Sequence, residues 1–182
     1  MSRALEEARI RAVLSGGACA AIHTAGLYQS VDLDFIVHGD VSRDRLDAAM
    51  VTLRFERRGD RYLHPSCRFY VEFPPGPLAI GSDYEIRPEL VRAGRFQVRT
   101  LSATDSCRDR LAAYLHWGDS QSLETAVLIG IRNDVDLKSI RAWAEKEGRL
   151  DRFEEFRARL EIARRRQSAR SRRKRTGPAP SR

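Results

Sequence analysis

The hydrophobic pattern of the chain changes once, near residue 103, and that change limits the possible folds more than any other feature. Before it, apolar residues alternate over residues 31–37 (VDLDFIV) and 67–73 (CRFYVEF), a period of two that predicts strands. After it, apolar residues recur at helical spacing near residues 103–117, 120–132, 135–147 and 150–166. The sequence therefore predicts an α+β fold whose strands precede a helical part.

The remaining elements follow from weaker signals. Ser102 and Asp105 have the capping-box spacing that begins a helix, and the proline cluster at residues 74–77 ends the strand before it. Residues 78–89 are expected to form an irregular loop or a short edge piece. We also expect helices near residues 2–10, 18–25 and 42–53, and strands at residues 12–15 and 96–101. The predicted units are an α/β core over residues 1–102 and helices packed on it over residues 103–163.

Positive charge is concentrated at the C-terminus. The whole chain carries a net charge of +8, but residues 164–182 contain nine Lys or Arg and no acid, so residues 1–163 carry −1. A segment without aromatic residues and rich in arginine is expected to stay disordered, because it cannot bury enough apolar area to fold. Such a tail either binds the phosphate backbone of RNA or only solubilises the chain, and the sequence leaves both open.

Neither a disulfide framework nor a membrane span is expected. The three cysteines, Cys19, Cys67 and Cys107, lie too far apart for a CxxC metal site and are predicted to be reduced and mostly buried. No stretch approaches the roughly 18 consecutive apolar residues of a transmembrane helix. The first ten residues (MSRALEEARI) include acids where a secretory signal would have its apolar core. We expect a cytoplasmic protein that makes no membrane contact.

Two acids interrupt the apolar strand at residues 31–37. Asp32 and Asp34 are two residues apart, so their side chains project from the same face with Cβ atoms about 7 Å apart. Carboxylates so arranged can share divalent cations, which activate an attacking oxygen and stabilise the leaving oxygens of a triphosphate. Three other acid-x-acid pairs occur in the chain, but only this one lies in an apolar strand, where a solvated face is a less ready explanation.

Two further features could belong to the same site. Gly16 and Gly17 stand where a strand meets a helix, so their N–H groups could approach a phosphate with no side chain in the way. Glu72 lies on the polar face of its own predicted strand and would converge with Asp32 and Asp34 if the two strands share a sheet. Taken singly, a Gly-Gly pair is more often only a tight turn, and an exposed glutamate on a half-solvated strand explains Glu72 equally well.

Together, LSGGA, SVDLDFIV and YVEF resemble the minimal nucleotidyltransferase domain of the DNA polymerase β superfamily, and most closely its AbiEii-type members. The match covers roughly residues 10–132. The resemblance implies a mixed sheet flanked by helices, with further helices at the C-terminus. It also implies that Asp32, Asp34 and Glu72 are the catalytic acids and Mg²⁺ ligands, and that Ser15, Gly16, Gly17 and Ser30 bind the phosphates of an NTP.

Two departures from the family pattern bear on activity. Ala18 stands where such families often have a Ser or Thr after the glycines. The AbiEii-type pattern also places a Lys on the first helix after the sheet and an Asp beyond it. Here the nearest equivalents are Arg108 or Arg110 for the lysine and Asp119 for the acid, although arginine and lysine are not interchangeable.

The leading hypothesis is an Mg²⁺-dependent enzyme that transfers an NMP from an NTP to an acceptor, which is tRNA, a protein or a small molecule. Several AbiEii-type proteins are toxins of toxin–antitoxin pairs, so the resemblance also implies an antitoxin-type partner. One alternative is a catalytically weakened protein of the same fold that binds RNA or a partner through its basic tail. The other is an unrelated α/β domain whose acids are accidental.

Overall fold

The computed structural model describes residues 1–175, and the side chains of residues 1–170. The predicted α+β fold is confirmed, and no helix in the described part is long and apolar enough to cross a membrane. The elements run in this order: α1 (Ser2–Glu7), β1 (Ala12–Ser15), α2 (Gly16–His23), β2 (Asp32–Val37), α3 (Arg43–Val51), β3 (Glu56–Arg58), β4 (Arg61–Leu63), β5 (Tyr70–Glu72), β6 (Glu89–Ala93), β7 (Phe96–Thr100), α4 (Ala103–Trp117), α5 (Ser120–Arg132), α6 (Leu137–Lys146) and α7 (Leu150–Arg175).

The strands form one mixed sheet in the order β3-β4-β5-β2-β1-β7-β6. Its centre pairs β1 with β2 in antiparallel fashion, while β2 runs parallel to β5 and β1 runs parallel to β7. An antiparallel hairpin closes each edge, β3–β4 on one side and β6–β7 on the other. This order places β2 between β1 and β5, so residues of all three strands can meet on one face.

One face of the sheet is apolar and packs against α3. Leu14, Phe35 and Val71 lie on neighbouring strands and are almost fully buried, because each is at an inward position of the alternating pattern. Tyr62 is buried with them, and its hydroxyl donates a hydrogen bond of 2.6 Å to Asp47 on α3. The hydrophobic effect therefore fixes which face of β2 is left for its two acids.

The helical part begins at the predicted residue. The Ser102 hydroxyl accepts a hydrogen bond from the Asp105 N–H at 3.0 Å, which caps the first turn of α4. Helices α4 and α5 pack against each other and against α2, so they stand beside the strand-to-helix turn at Ser15–Gly17.

Two parts of the sheet differ from the prediction. The strand expected at residues 67–73 is limited to Tyr70–Glu72, and Cys67 and Phe69 are exposed rather than buried. The β3–β4 hairpin and β6 were not predicted as strands. Their residues are mostly charged or exposed, so they form by pairing with a neighbour rather than by burying an alternating apolar face.

Disorder was expected from residue 164, whereas in the described part of that segment α7 continues through Arg175. The Arg164 guanidinium donates hydrogen bonds of 2.8 and 3.2 Å to the Gly130 carbonyl oxygen and so ties the helix to α5. Residues 176–182, for which the same prediction was made, lie outside the described residues.

Candidate active site

The register of the sheet brings the three predicted acids to one face. In the parallel pair β2–β5, Asp32 stands opposite Tyr70 and Asp34 stands opposite Glu72. Residues directly opposite each other in a sheet point to the same side, so Asp32, Asp34 and Glu72 all project away from the apolar face. Ser15 stands opposite Asp34 on the other neighbouring strand, β1, and shares that face.

The glycine turn is packed tightly against these acids. A Cβ added to Gly16 would overlap the carboxylate oxygen Oδ2 of Asp34, and one added to Gly17 would overlap the hydroxyl oxygen of Ser30. Gly16 also has φ +61°, a left-handed conformation that other residues rarely adopt. The Ser30 hydroxyl in turn donates a hydrogen bond to Asp32 Oδ1. Both glycines are therefore needed for the turn to lie directly against the two acids.

This crowding perturbs Asp34. The pKa of Asp34 is raised from its usual 3.8 to about 6, mainly by burial and then by the negative charges of Asp32 and Glu72. The positive charge of Arg110 opposes the shift. A bound cation would relieve the repulsion that the charged form of Asp34 experiences, so the electrostatics of the site favour a cationic ligand.

Glu72 has a cationic neighbour of its own. Arg61 Nε donates a 2.7 Å hydrogen bond to Glu72 Oε1, and the guanidinium carbon lies 4.5 Å from the centre of the Tyr70 ring. The Tyr70 hydroxyl donates a 3.4 Å hydrogen bond to Asp32 Oδ2. Within residues 1–170, no three His, Cys, Asp or Glu side chains are grouped closely enough to hold a metal ion. Glu72 would therefore have to exchange Arg61 for a metal in order to act with the aspartates.

The residues present nevertheless fit Mg²⁺ chemically. The donors are carboxylate oxygens, which hard cations prefer, and the absence of a Cβ on Gly16 lets the turn lie directly against the Asp34 carboxylate. Asp32 and Asp34 would hold the ion, joined by Glu72 once it is released from Arg61. The assignment of all three as metal ligands stays a prediction.

Of the two arginines considered for the lysine position, only Arg110 lies near the acids. Its charge acts on both Asp34 and Asp119, and it forms a 2.7 Å ion pair with Asp109. Asp119 itself caps α5, where its carboxylate accepts hydrogen bonds from the Ser122 hydroxyl at 2.7 Å and the Gln121 N–H at 3.0 Å. Asp119 therefore has a structural role and is within electrostatic reach of Arg110.

The assignment of Arg108 to the nucleotide site is corrected. Its side chain is buried and forms ion pairs with Asp105, at 2.9 Å, and with Asp83. Its guanidinium also lies 5.2 Å from the centre of the Trp143 ring. These contacts join α4 to the loop after β5 and to α6, so Arg108 holds the helical part to the sheet rather than binding a triphosphate.

Three further residues lie at the site and were not assigned to it from the sequence: Arg61, Tyr70 and Tyr28. The hydroxyl oxygen of Tyr28 would lie 3.3 Å from a Cβ on Gly17. Tyr70 precedes Glu72 by two residues, as Asp32 precedes Asp34, so strand alternation could have identified it. Arg61 gave no such signal, because the hairpin that carries it was not predicted.

No protein-family model matches the chain. No curated protein matches its sequence. Among solved structures, it aligns with an antigenic nucleotidyltransferase-like protein from Paracoccidioides brasiliensis at 15% identity and a TM-score of 0.53, over 70% of this chain and 71% of that one. It also aligns with the antibiotic-resistance factor ANT(2'')-Ia in solution, at 17% identity and a TM-score of 0.47, over 96% of this chain and 93% of that one. The alignment with ANT(2'')-Ia in complex with adenylyl-2''-tobramycin has 20% identity and a TM-score of 0.48, over 88% and 92% of the two chains.

The chain therefore has the nucleotidyltransferase fold. The predicted resemblance to nucleotidyltransferases is confirmed as a likeness of fold, with the acid pair and the glycine turn in contact. The closer likeness to AbiEii-type members stays a prediction.

Proposed function

We propose that this protein is an Mg²⁺-dependent nucleotidyltransferase that transfers an NMP from an NTP to an acceptor. The observation that carries the proposal is the contact between Gly16 and Asp34, because it sets phosphate-binding backbone N–H groups directly against carboxylates that need a cation. A nucleoside triphosphate complexed with Mg²⁺ satisfies both requirements at once.

Each residue then has a definite task. The N–H groups of Gly16 and Gly17, with the hydroxyls of Ser15 and Ser30, would hold the phosphates, and Arg110 would offset their charge. When bound, Mg²⁺ would neutralise charge that develops on the triphosphate. The chain's own contribution is to orient the α-phosphate for attack in line with the departing pyrophosphate.

The reaction forms one P–O bond and breaks another. A hydroxyl oxygen of the acceptor bonds to the α-phosphorus, the bond to the bridging oxygen breaks, and pyrophosphate leaves with the electron pair. The proton of the hydroxyl passes to a carboxylate of the acid face. The acceptor class, whether tRNA, protein or small molecule, does not follow from these steps.

The test uses NTPs labelled in two positions. When purified protein and Mg²⁺ are added to a cell extract, the additional labelled product should appear with [α-³²P]NTP and not with [γ-³²P]NTP, because the γ-phosphate leaves in pyrophosphate. Asp32→Ala should abolish labelling without lowering the melting temperature, and Asp40→Ala, an exposed acid just beyond the same strand, should leave labelling intact. Transfer that survives Asp32→Ala, or label from the γ-phosphate that appears only when the protein is added, would contradict the proposal.

Two observations favour the second candidate, a protein of the same fold that binds nucleotide but transfers it poorly. Arg61 occupies the Glu72 carboxylate, and Ala18 offers no hydroxyl to the phosphates. This candidate would bind RNA or a protein partner through the basic C-terminal segment. NTP binding that depends on Mg²⁺, with no labelled product from any of the four NTPs, would favour it over the enzyme.

The toxin–antitoxin role rests on the sequence resemblance and needs its own experiment. Expression of the wild-type chain in a bacterial host should arrest growth, and Asp32→Ala should relieve the arrest at equal protein level. Growth arrest that Asp32→Ala does not change would separate toxicity from the acid face.

A further inference from the structure

The row of side chains that contains the acids continues into arginines. Arg61 stands opposite Glu72 on β4, and Arg58 stands opposite Arg61 on β3. Because cross-strand partners share a face, the row runs from Ser15 through Asp34, Glu72 and Arg61 to Arg58. The face that would bind the triphosphate therefore ends in two guanidinium groups, that of Arg61 two strands beyond Asp34 and that of Arg58 three strands beyond it.

A cavity opens at this end of the row. It has a volume of about 760 Å³ and lies between the β3–β4 turn and the prolines that follow β5. Its charged lining consists of Arg43, Arg58 and Arg61 against Asp60 and Glu72. The cavity is large enough for a small polar molecule, and guanidinium groups are the side chains best suited to bind a phosphate bidentately.

The existing partners of these arginines do not prevent this role. The Arg61–Glu72 pair is 57% and 28% exposed, and the Arg58–Glu56 pair is 73% and 74% exposed with a separation of 3.5 Å. Exposed ion pairs contribute little to stability, so a phosphate dianion can replace the carboxylate at little cost. Exchange at Arg61 would also release Glu72 towards the two aspartates.

We propose that this cavity is the acceptor subsite, and that the acceptor carries a phosphate group which Arg58 and Arg61 bind. The inference rests on the proposed function, because it places the acceptor hydroxyl at the acid face. The backbones of Glu72 and the two arginines lie one to two strand spacings apart, about 5–10 Å, so once Arg61 is released from Glu72 a sugar phosphate can reach from a hydroxyl near Glu72 to a phosphate at the arginines. A cationic acceptor would instead be repelled by the three guanidinium groups that line the cavity, those of Arg43, Arg58 and Arg61.

The experiment is a titration of the ¹⁵N-labelled full chain with inorganic phosphate at constant ionic strength, followed by NMR of the arginine Nε–H groups. The signals of Arg58 and Arg61, assigned from Arg58→Gln and Arg61→Gln, should shift along one saturating curve. Arg58→Gln should weaken phosphate binding about tenfold, the loss expected for one charged hydrogen bond. Arg57→Gln is the matched control, because Arg57 is on the same strand but pairs with Asp47 on α3.

The outcomes separate this inference from the proposed function. Shifts at Arg58 and Arg61 that do not saturate, or that are no larger than those at Arg57, would mean an adventitious ion only and would overturn the subsite. Phosphate binding that is lost in Gly17→Ala but unchanged in Arg58→Gln would also overturn the acceptor subsite. It would not contradict the proposed nucleotide site, because the phosphate would then bind at the glycine turn. Phosphate binding that depends on Arg58 in a protein that transfers no nucleotide would uphold a phosphate site at the two arginines but overturn its role as an acceptor subsite, together with the enzyme.

Two phosphate-bearing probes then identify the source of the group. Ribose 5-phosphate represents a small acceptor, and a 5′-phosphorylated hexaribonucleotide represents a nucleic acid. Tighter binding of the hexaribonucleotide, lost in Arg58→Gln, would assign a nucleic-acid end, and equal binding of both would assign a small sugar phosphate. Binding of both more weakly than inorganic phosphate would overturn the subsite.

Discussion

Gly16 and Asp34 occupy adjoining space where β1 turns into α2, so that a Cβ on Gly16 would overlap the Asp34 carboxylate. The same glycine has a left-handed backbone, with φ +61°. Two separate requirements therefore exclude other residues at this position, one from the backbone and one from the neighbouring acid. The close approach brings the N–H groups of the turn to the acids. The backbone strain and the clash with Asp34 can each be measured separately.

Gly16→Ala should be more damaging than Gly94→Ala. Gly94 has nearly the same φ, +60°, but has nothing within 4 Å of an added Cβ, so its substitution measures backbone strain alone, about 1 kcal/mol. Gly16→Ala adds the displacement of Asp34 and should cost about 1–3 kcal/mol more. Urea denaturation gives both costs, and NTP binding should weaken only for Gly16→Ala. Equal losses of stability in the two variants would show that Asp34 moves aside freely.

Asp34→Asn should stabilise the protein near neutral pH when no metal is added. The pKa of Asp34 is about 6 in the folded chain, against 3.8 for the ordinary group, because burial and then Asp32 and Glu72 disfavour the charged form. The charged carboxylate therefore destabilises the fold above about pH 6, and the penalty disappears as the pH falls through 6 towards 4. After discounting for solvent screening, the expected gain at pH 7.5 is about 1–2 kcal/mol.

The measurement is the free energy of unfolding of wild type and Asp34→Asn in EDTA at pH 4, 5, 6 and 7.5. The difference should grow with pH and be near zero at pH 4. Asp40→Asn removes an exposed charge six residues away and is the control for net charge. A difference that does not change with pH would mean that Asp34 titrates normally.

Arg108 and Arg110 should separate stability from nucleotide binding. Arg108→Leu leaves Asp83 and Asp105 without their buried partner, so it should cost about 3 kcal/mol of stability. Arg110→Gln removes positive charge beside Asp34, so it should weaken NTP binding about tenfold, and it should cost less stability than Arg108→Leu because one carboxylate, that of Asp109, loses an ion pair instead of two. Denaturation and NTP titration of both variants test this. A loss of NTP affinity in folded Arg108→Lys would return Arg108 to the nucleotide site.

Local patterns were sufficient to predict the elements around the acid pair. Alternation alone put Asp32 and Asp34 on the face opposite Phe35, because burying Phe35 leaves the acids no other direction. The start of α4 was equally local, since the hydroxyl of Ser102 and the N–H of Asp105 are three residues apart. These predictions needed only the period of a strand and the geometry of a helix cap.

Other features depend on partners distant in the chain, which no local pattern reports. Residues 56–58 (ERR) are all exposed, and they become a strand only because β4 pairs with them. Arg61 reaches the acid face only through that hairpin. Arg108 looked equivalent to Arg110 in sequence, and the difference between them comes from Asp83, which lies 25 residues earlier.

The length of α7 was misjudged for a similar reason. The sequence after residue 163 has too few apolar residues to fold alone, yet the Arg164 guanidinium binds the Gly130 carbonyl oxygen. Gly130 also allows α7 to come close, because a Cβ there would lie 3.0 Å from Leu160. Arginine composition predicts a solvated tail, whereas the guanidinium of Arg164 binds α5.

Arg164→Ala should therefore destabilise the protein, although it lies in a segment whose composition predicted a dispensable tail. Losing a charged donor to a backbone carbonyl should cost about 1–2 kcal/mol. The control is Arg166→Ala, because Arg166 is exposed on the same helix. Thermal and urea unfolding of the two variants give the comparison. Equal stability of both would mean that the Arg164 contact contributes nothing.

A chain that ends at Arg166 should keep the stability of the full protein but lose affinity for RNA. The last buried residue described in α7 is Leu160, and Arg164 is retained, so the melting temperature should stay within a few degrees. Residues 167–182 carry six Lys or Arg and no acid. Each charge that contacts a phosphate adds about 0.7 to the dependence of log K on log salt for a single strand, so removing six should reduce that slope by up to about 4. Binding of a single-stranded oligoribonucleotide at several salt concentrations gives this slope for the full chain and for the truncated chain. Unchanged slopes would exclude the C-terminal segment as an RNA contact, and a fall of many degrees in melting temperature would show that it stabilises the fold.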